Sequence, residues 1–508
     1  MEFPVYQPFS SDWIAFGLFF TGILLVIGLA EIMRTRMQWS AENSRKIVHI
    51  LVGIMIFWAR FLFTSPVPAI VIAVIFIGIN LATLIRGGFA GMHATDRQSM
   101  GTVFYPLSFL ILVLLFWYRD PAILLISFLI LALADPLAAQ VGETVSHPRT
   151  FIVWRDTKSI QGSTALGIAA FIITVAGLCF LRQIDSHPFP ALQTLIIAGV
   201  SVGVISAFAE SISWGGSDNL SLPLSAALTL DILLDAPIQS QWIFLVWVFV
   251  AFVAAFGAFK LEVLNLSGTV AAFLLGSFVF GIGGIQWMVP MATFFVLSSI
   301  LSKFGKQKKH ILATVYEKSS NRDMMQVLAN GGVAGLMAIC WHYTGAEICY
   351  YAFLGALAAA TADTWGTELG VFSRQVPRSI LNFKRVTMGT SGGITTVGTT
   401  GAAVGAGLLT LAGWAIPVGA IAPFFHGKIF LVITVAGIAG ALFDSLLGAT
   451  VQAQYRCPTC GKITEKSVHC GNNPLTLHRG FRWINNDVVN FACTATGAVL
   501  VLLYFMLS

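Results

Sequence analysis

Charge is scarce in this chain. Only 10% of its 508 residues are Asp, Glu, Lys or Arg, against roughly 25% in a soluble domain. That shortage excludes an ordinary soluble globule. Nothing alternates with the two-residue period of a membrane β-barrel. There is no GxxxxGKS/T phosphate loop and no protein-kinase signature, so any nucleotide site is of another construction. The first apolar run, 13–33, has neither a basic leader nor a small-residue cleavage site, and reads as a retained span and not a signal peptide. The seven cysteines imply no disulfide framework, because Cys179, Cys340, Cys349 and Cys493 lie in or beside apolar runs.

What the chain has is hydrophobicity: 56% of its residues, with a mean hydropathy of +0.82. Apolar runs recur at 13–33, 47–63, 67–85, 103–118, 122–134, 164–182, 191–213, 220–234, 242–259, 268–284, 286–302, 324–343, 349–368, 391–414, 428–450 and 488–507. They predict an all-α polytopic membrane protein of about 14–16 transmembrane helices, the short runs 122–134 and 220–234 setting the spread. The net charge of +6 is a matter of topology and not of nucleic-acid binding. Of the 29 Lys and Arg, only Arg60, Arg119, Arg182 and Lys428 fall outside alternate loops. By the positive-inside rule, loops 135–163 and 369–390 then face the cytoplasm.

Those two loops repeat one design. The first, from Ala134, reads ADPLAAQVGETVSHPRTFIVWRDTKSIQGS; the second, from Ala362, reads ADTWGTELGVFSRQVPRSILNFKRVTMGTSGG. Asp135 pairs with Asp363, Gly142 with Gly370, the cations Arg155 and Lys158 with Lys384 and Arg385, and Gly162-Ser163 with Gly389 or Ser391-Gly392. Each loop is followed by an acid inside a span, Glu210 and then Asp444, and by an Asp/Asn pair, Asp218-Asn219 and then Asn486-Asp487. An acid within a span is expensive unless it has a partner. The repetition divides the chain into similarly organised halves, 1–240 and 241–508.

Acids that can hold Mg²⁺, cations for phosphates and glycine turns for close backbone approach are the parts phosphoryl transfer needs. The acceptor should be amphiphilic, since these loops sit at the bilayer surface and no large soluble domain is present. Further polar groups sit at Arg45, Lys46 and His49, and in the loops 86–102 (His93, Asp96, Arg97) and 303–323. They read as solvated positive-inside anchors or as phosphate contacts. The loop 452–487 carries Cys457-Pro-Thr-Cys460 and His469-Cys470. These four side chains would complete a tetrahedral zinc site, structural because no position stays open; free thiols are the alternative.

At ADPLAAQVGE, Lys158-Ser159, Gly162-Ser163 and WGGSDNLSLPL, residues 15–235 resemble the phytol and dolichol kinase family. At ADTWGTELG, MGTSGG, FDSLLGATVQA and NNDVVN, residues 260–508 resemble a membrane family that includes phytyl-phosphate kinases. The resemblance implies a bifunctional, CTP-dependent enzyme that phosphorylates phytol or a related isoprenoid alcohol, and then its monophosphate, in a bacterial cell membrane. It assigns catalytic roles to Asp135, Glu210 and Asp218, and to Asp363, Asp444 and Asp487. It assigns nucleotide or phosphate contacts to Lys158, Gly162, Glu368, Lys384, Gly389 and Asn486. Gln140 stands where the second loop has Glu368, so the two sites need not hold metal alike. Cytidylyl transfer to a lipid phosphate and a two-repeat transporter are the competing expectations.

Overall fold

The structure, a computed structural model, describes residues 4, 6, 9–86, 99–185, 187–303, 321–416, 427–461, 463–466, 468–471 and 475–507. The protein is an all-α integral membrane protein. Among the described residues, eleven helices are long and apolar enough to cross a bilayer. The chain divides into two compact units, Met1–Leu245 and Val246–Ser508.

The first unit contains α1 (Asp12–Arg36), α2 (Ala41–Leu62), α3 (Val67–Arg86), α4 (Gly101–Phe116), α5 (Pro121–Leu129), a π-helical turn (Ile130–Ala134) and α6 (Asp135–Thr144). A two-stranded antiparallel hairpin, β1 (Thr150–Ile152) with β2 (Thr157–Ser159), leads to α7 (Ile160–Leu181), α8 (Leu192–Ser211) and α9 (Asp218–Leu234). Helix α10 (Ile238–Lys260) runs across the division between the units. The predicted run 122–134 does not stop at Asp135: it continues through the π-turn into α6. Pro121 to Phe128 is buried without a break. A helix buried all round in a membrane protein is a hub for its neighbours, and this one delivers Asp135.

The second unit follows the same plan. It comprises α11 (Leu266–Lys303), α12 (Met324–Thr344), α13 (Glu347–Gly370), the hairpin β3 (Arg378–Ser379) with β4 (Gly393–Ile394), α14 (Thr396–Trp414) and α15 (Gly427–Thr450). It ends with the sheet β6-β5-β7 (Ile463–Thr464, Gln454–Arg456, Thr476–Arg479) and α16 (Asn486–Leu507). The two predicted runs 268–284 and 286–302 are one helical stretch broken at Gly284, whose φ of 63° and ψ of −152° no helix can hold. Helix α13 is the hub, buried continuously from Cys349 to Ala362. Its small residues let neighbours come close. A Cβ on Gly355 would meet the Gly497 carbonyl of α16 at 2.6 Å. Thus each unit carries its most enclosed helix straight into the acid that opens its loop.

Candidate functional site

In the first unit, four polar groups from different elements converge on Asp135: Lys158 of β2, Glu210 at the end of α8, Asp218 at the start of α9 and Arg45 of α2 all interact with it electrostatically. Lys158 is the clamp. Its Nζ lies 2.5 Å from Glu210 Oε1 and 3.7 Å from Asp218 Oδ2. Ser163 Oγ donates to the other Glu210 oxygen at 3.1 Å. Burial alone would lower the Lys158 pKa, but Glu210, Asp218 and Asp135 outweigh it and hold the ammonium above its ordinary 10.5. Stripping one partner from so enclosed a pair costs about 3–5 kcal/mol.

The loop 214–219 is docked on the start of α4. Gly215 N donates to Asp156 Oδ2 at 3.1 Å, Met100 N to the Gly215 carbonyl at 2.9 Å, and Asn219 Nδ2 to the Gly101 carbonyl at 3.0 Å. Gly216, at φ +87°, sits so close that a Cβ would meet Gly101 N at 2.5 Å. The remaining cations divide. Arg45 reaches Ser99 Oγ at 3.4 Å, whereas Lys46 is paired with Glu143 at 2.7 Å, and Arg155 is exposed beside the Trp154 ring. His49 Nε2 points inward and donates to the Leu131 carbonyl of the π-turn at 2.9 Å.

In the second unit, Asp363 ends the buried run of α13 and Asp444 approaches from α15. A third carboxylate, Glu465, interacts electrostatically with both. Sequence reasoning missed Glu465, because it lies in an irregular segment just after β6 and belongs to no repeated motif. Ser391 Oγ donates to Glu465 Oε1 at 2.7 Å. Burial raises the Glu465 pKa above its usual value, against the lowering effect of Ser391 and Gln452. Asp444 Oδ2 is buried with no hydrogen-bond partner. An all-oxygen set with an orphaned carboxylate oxygen suits a hard divalent cation such as Mg²⁺.

The other second-half residues do not all join this cluster. Glu368 accepts from Ser302 Oγ at 2.7 Å and interacts with Arg322. Lys384 and Arg385 are exposed on the β3–β4 connection, where Arg385 and Arg374 line a surface cleft of about 430 Å³. Gly389 (φ +87°) and Gly392 (φ +79°) shape that connection, and a Cβ on Gly392 would meet the Ser445 carbonyl of α15 at 2.7 Å. Asn486 and Asp487 open α16. Asp487 is buried and lines an apolar cavity of about 470 Å³ with Leu275, Phe278, Met325, Leu336 and Phe491. His93, Asp96 and Arg97, and most of the loop 303–323, lie outside the described residues.

The internal repeat is visible in the backbone, in a register that differs from the sequence reading. Ser159 caps α7 by accepting from Gly162 N, and Thr395 caps α14 by accepting from Gly398 N, each at 3.0 Å. A Cβ on Gly162 would meet the Ala138 carbonyl at 2.8 Å, and one on Gly398 the Gly366 carbonyl at 2.7 Å. Gly142 and Gly370 face the capping hydroxyls of Ser159 and Thr395. The counterpart of Gly162 is therefore Gly398, not Gly389 or Gly392, because the shared requirement is the close helix crossing at the cap. In this register the counterpart of Lys158 is Ile394, not Lys384.

Cys457, Cys460, His469 and Cys470 come together, with their four ligand atoms all within 4.8 Å of one another. The backbone N–H of Cys460 draws the Cys457 thiol down to about 6.

Comparison with known proteins gives a consistent picture. Residues 249–498 match the family described as integral membrane protein DUF92. The chain is 32% identical over 264 residues to Protein PGR of Arabidopsis thaliana, covering 48% of this chain and 90% of that protein. It is 32% identical over 217 residues to a phytol kinase of Synechocystis, covering 42% and 90%. It is 25% identical over 235 residues to a farnesol kinase of Arabidopsis thaliana, covering 43% and 74%. No solved structure matches.

Proposed function

Because the chain belongs to the DUF92 family of integral membrane proteins, we propose that it is a two-site isoprenoid kinase that uses CTP. The first unit phosphorylates phytol or a related alcohol, and the second phosphorylates the resulting monophosphate. The observation that carries this reading is Lys158, clamped between Glu210 and Asp218 and facing Asp135. Relatives named phytol kinase and farnesol kinase support the acceptor class. The matched stretches of 264 and 217 residues, each close to the size of one unit, support a division of labour.

In the first site the alcohol oxygen attacks the γ-phosphorus of CTP. The bond from that phosphorus to the β-bridging oxygen breaks, CDP departs, and the alcohol proton passes to the Asp135 carboxylate. Lys158 and Arg45 bring positive charge to where the transferring oxygens gather. Glu210 and Asp218 in the first site, and Asp363, Asp444 and Glu465 in the second, would hold Mg²⁺, which would supply positive charge against the donor's phosphates. In the second site the acceptor is already an anion, so no base is required. The apolar cavity of about 470 Å³ beside α12 and α16 falls within the roughly 300–1,000 Å³ of ligand pockets and suits an isoprenoid tail. Both sites lie at the cytoplasmic face of a bacterial cell membrane, a reading supported by the distribution of Lys and Arg.

Product analysis with purified protein, γ-labelled CTP and phytol tests this. Asp363→Asn should accumulate labelled monophosphate. Asp135→Asn should fail on phytol yet still convert supplied monophosphate to diphosphate. Label passing only from α-labelled CTP would establish cytidylyl transfer instead. No transfer, with isoprenoid flux into sealed vesicles in the absence of nucleotide, would establish a transporter.

A further inference from the structure

We propose that Cys457, Cys460, His469 and Cys470 hold a structural zinc ion, and that the lobe closed around it carries Glu465 into the second site as its third carboxylate. What those acids do there rests on the two-site reading above; the zinc and the placement of Glu465 do not.

The ligand set comes first. Four potential ligand atoms within 4.8 Å of one another are close to the edges of a tetrahedron with bonds of about 2.3 Å to sulfur. His469 Nδ1 is 3.5 Å from Cys460 Sγ and 3.1 Å from Cys470 Sγ. Each pair sits on its own tight turn. Gly461, at φ +72°, donates its N–H to the Cys457 carbonyl at 2.9 Å; Cys470 and Gly471 follow one another at φ +52° and +76°. A left-handed cysteine is strained and persists only when something holds it. A bond to metal would do so.

The lobe needs such a bond. It runs from 451 to 485, and among its described residues the buried apolar ones are Ala453, Cys457, Leu475 and Ile484. Chains below about 40 residues usually need a metal or disulfides to hold a fold. At its base the lobe closes on itself and is tied to α15. Ala453 N donates to the Ile484 carbonyl at 2.8 Å, Phe481 N to the Val451 carbonyl at 3.0 Å, and Arg479 to the Gly448 carbonyl of α15 at 3.1 Å.

Glu465 lies between the two ligand pairs in sequence, directly after β6, so closing the zinc site fixes the strand that presents it. Its carboxylate accepts from Ser391 at 2.7 Å and interacts electrostatically with Asp363 and Asp444. Where the first site has Lys158, β4 supplies Ile394. The second site therefore replaces a built-in cation with an extra anion. Glu465 thus joins Asp363 and the orphaned Asp444 Oδ2 in one acidic cluster, whose charge a divalent cation would neutralise, with the zinc lobe positioning one of its members.

The test uses the full-length protein in detergent. Wild type should contain one zinc per chain by elemental analysis. Cys460→Ser should lose it, and Cys470→His, which keeps four ligands, should retain it even if the serine variant folds poorly. Mn²⁺, followed by electron paramagnetic resonance, replaces Mg²⁺ as the probe of the acid cluster. Glu465→Gln should weaken one class of Mn²⁺ site at least tenfold with zinc content unchanged, and loss of zinc should weaken that same class. Zinc absent from wild type, zinc retained in Cys460→Ser, or Mn²⁺ affinity unaltered in Glu465→Gln would each overturn the proposal. Failure of the kinase reading would look different: the zinc and Mn²⁺ results would stand, and no label would pass from CTP.

Discussion

Lys158 and Ile394 occupy equivalent places in the two halves. Each lies in the second strand of a two-stranded hairpin, one residue before the hydroxyl that caps the next helix. In the first half that place holds an ammonium 2.5 Å from Glu210; in the second it holds a methyl-bearing side chain, and Glu465 arrives from elsewhere. Two copies of one backbone plan thus place a cation in that position in the first half and an apolar side chain in the second.

Replacing Lys158 by Met should therefore harm both stability and chemistry. Glu210 and Asp218 lose their cation, which should cost about 3–5 kcal/mol, and alcohol phosphorylation should fall at least 10²-fold. Adding Glu210→Gln should restore much of the stability and none of the rate. Thermal unfolding and product formation, measured on both variants, separate the two effects. An unchanged rate in Lys158→Met would remove the lysine from the mechanism.

The same lysine sets an alkaline limit. Its folded pKa lies above the ordinary 10.5, so its contribution is complete below that value and is lost as pH rises through the folded pKa. The stability difference between wild type and Lys158→Met should stay constant from about pH 7 to 9 and shrink above about 10.5. A difference that closes near neutrality would contradict the ion pair.

Gly398→Ala should force α14 away from α13, since the new methyl would meet the Gly366 carbonyl at 2.7 Å. A loss of about 1–3 kcal/mol is expected, with monophosphate phosphorylation impaired and alcohol phosphorylation spared. Gly17→Ala, where nothing lies within 4 Å, should leave stability and both rates unchanged. Equal behaviour of the two variants would deny Gly398 its role as the close crossing.

Gly332 lines the apolar cavity, and a Cβ there would touch only Leu328, at 4.0 Å. Gly332→Phe should fill the cavity without disturbing the helices. It should raise KM for a C20 monophosphate much more than for a C10 one. Equal KM changes for both lengths would place the tail elsewhere.

Much of the architecture was legible because bilayer-length apolar runs leave little choice but helices. Even the break at Gly284 falls at the end of one predicted run, next to the start of another. Asp135, Glu210 and Asp218 were legible as acids in or beside apolar runs, Lys158 as part of a basic loop, and the grouping of Cys457, Cys460, His469 and Cys470 by spacing alone. Glu465 was not. It reaches Asp363 and Asp444 through the tertiary path of an irregular loop, and one acid among turn residues carries no periodic mark. The pairing of Gly162 with Gly398 was hidden for a related reason. The connection between the two strands of the hairpin is longer in the second half, 380–392 against 153–156, so matching by glycine-rich look found that connection and not the crossing.

The π-turn Ile130–Ala134 has no counterpart in α13, which reaches Asp363 as unbroken α-helix. Each residue advances a helix by about 100°, so a π-turn amounts to one inserted residue. Winding that turn as α-helix at unchanged length would swing Asp135 through about that angle, away from Lys158 and Glu210. A change of helix winding alone, with no residue replaced, would leave the first half folded and its polar cluster broken.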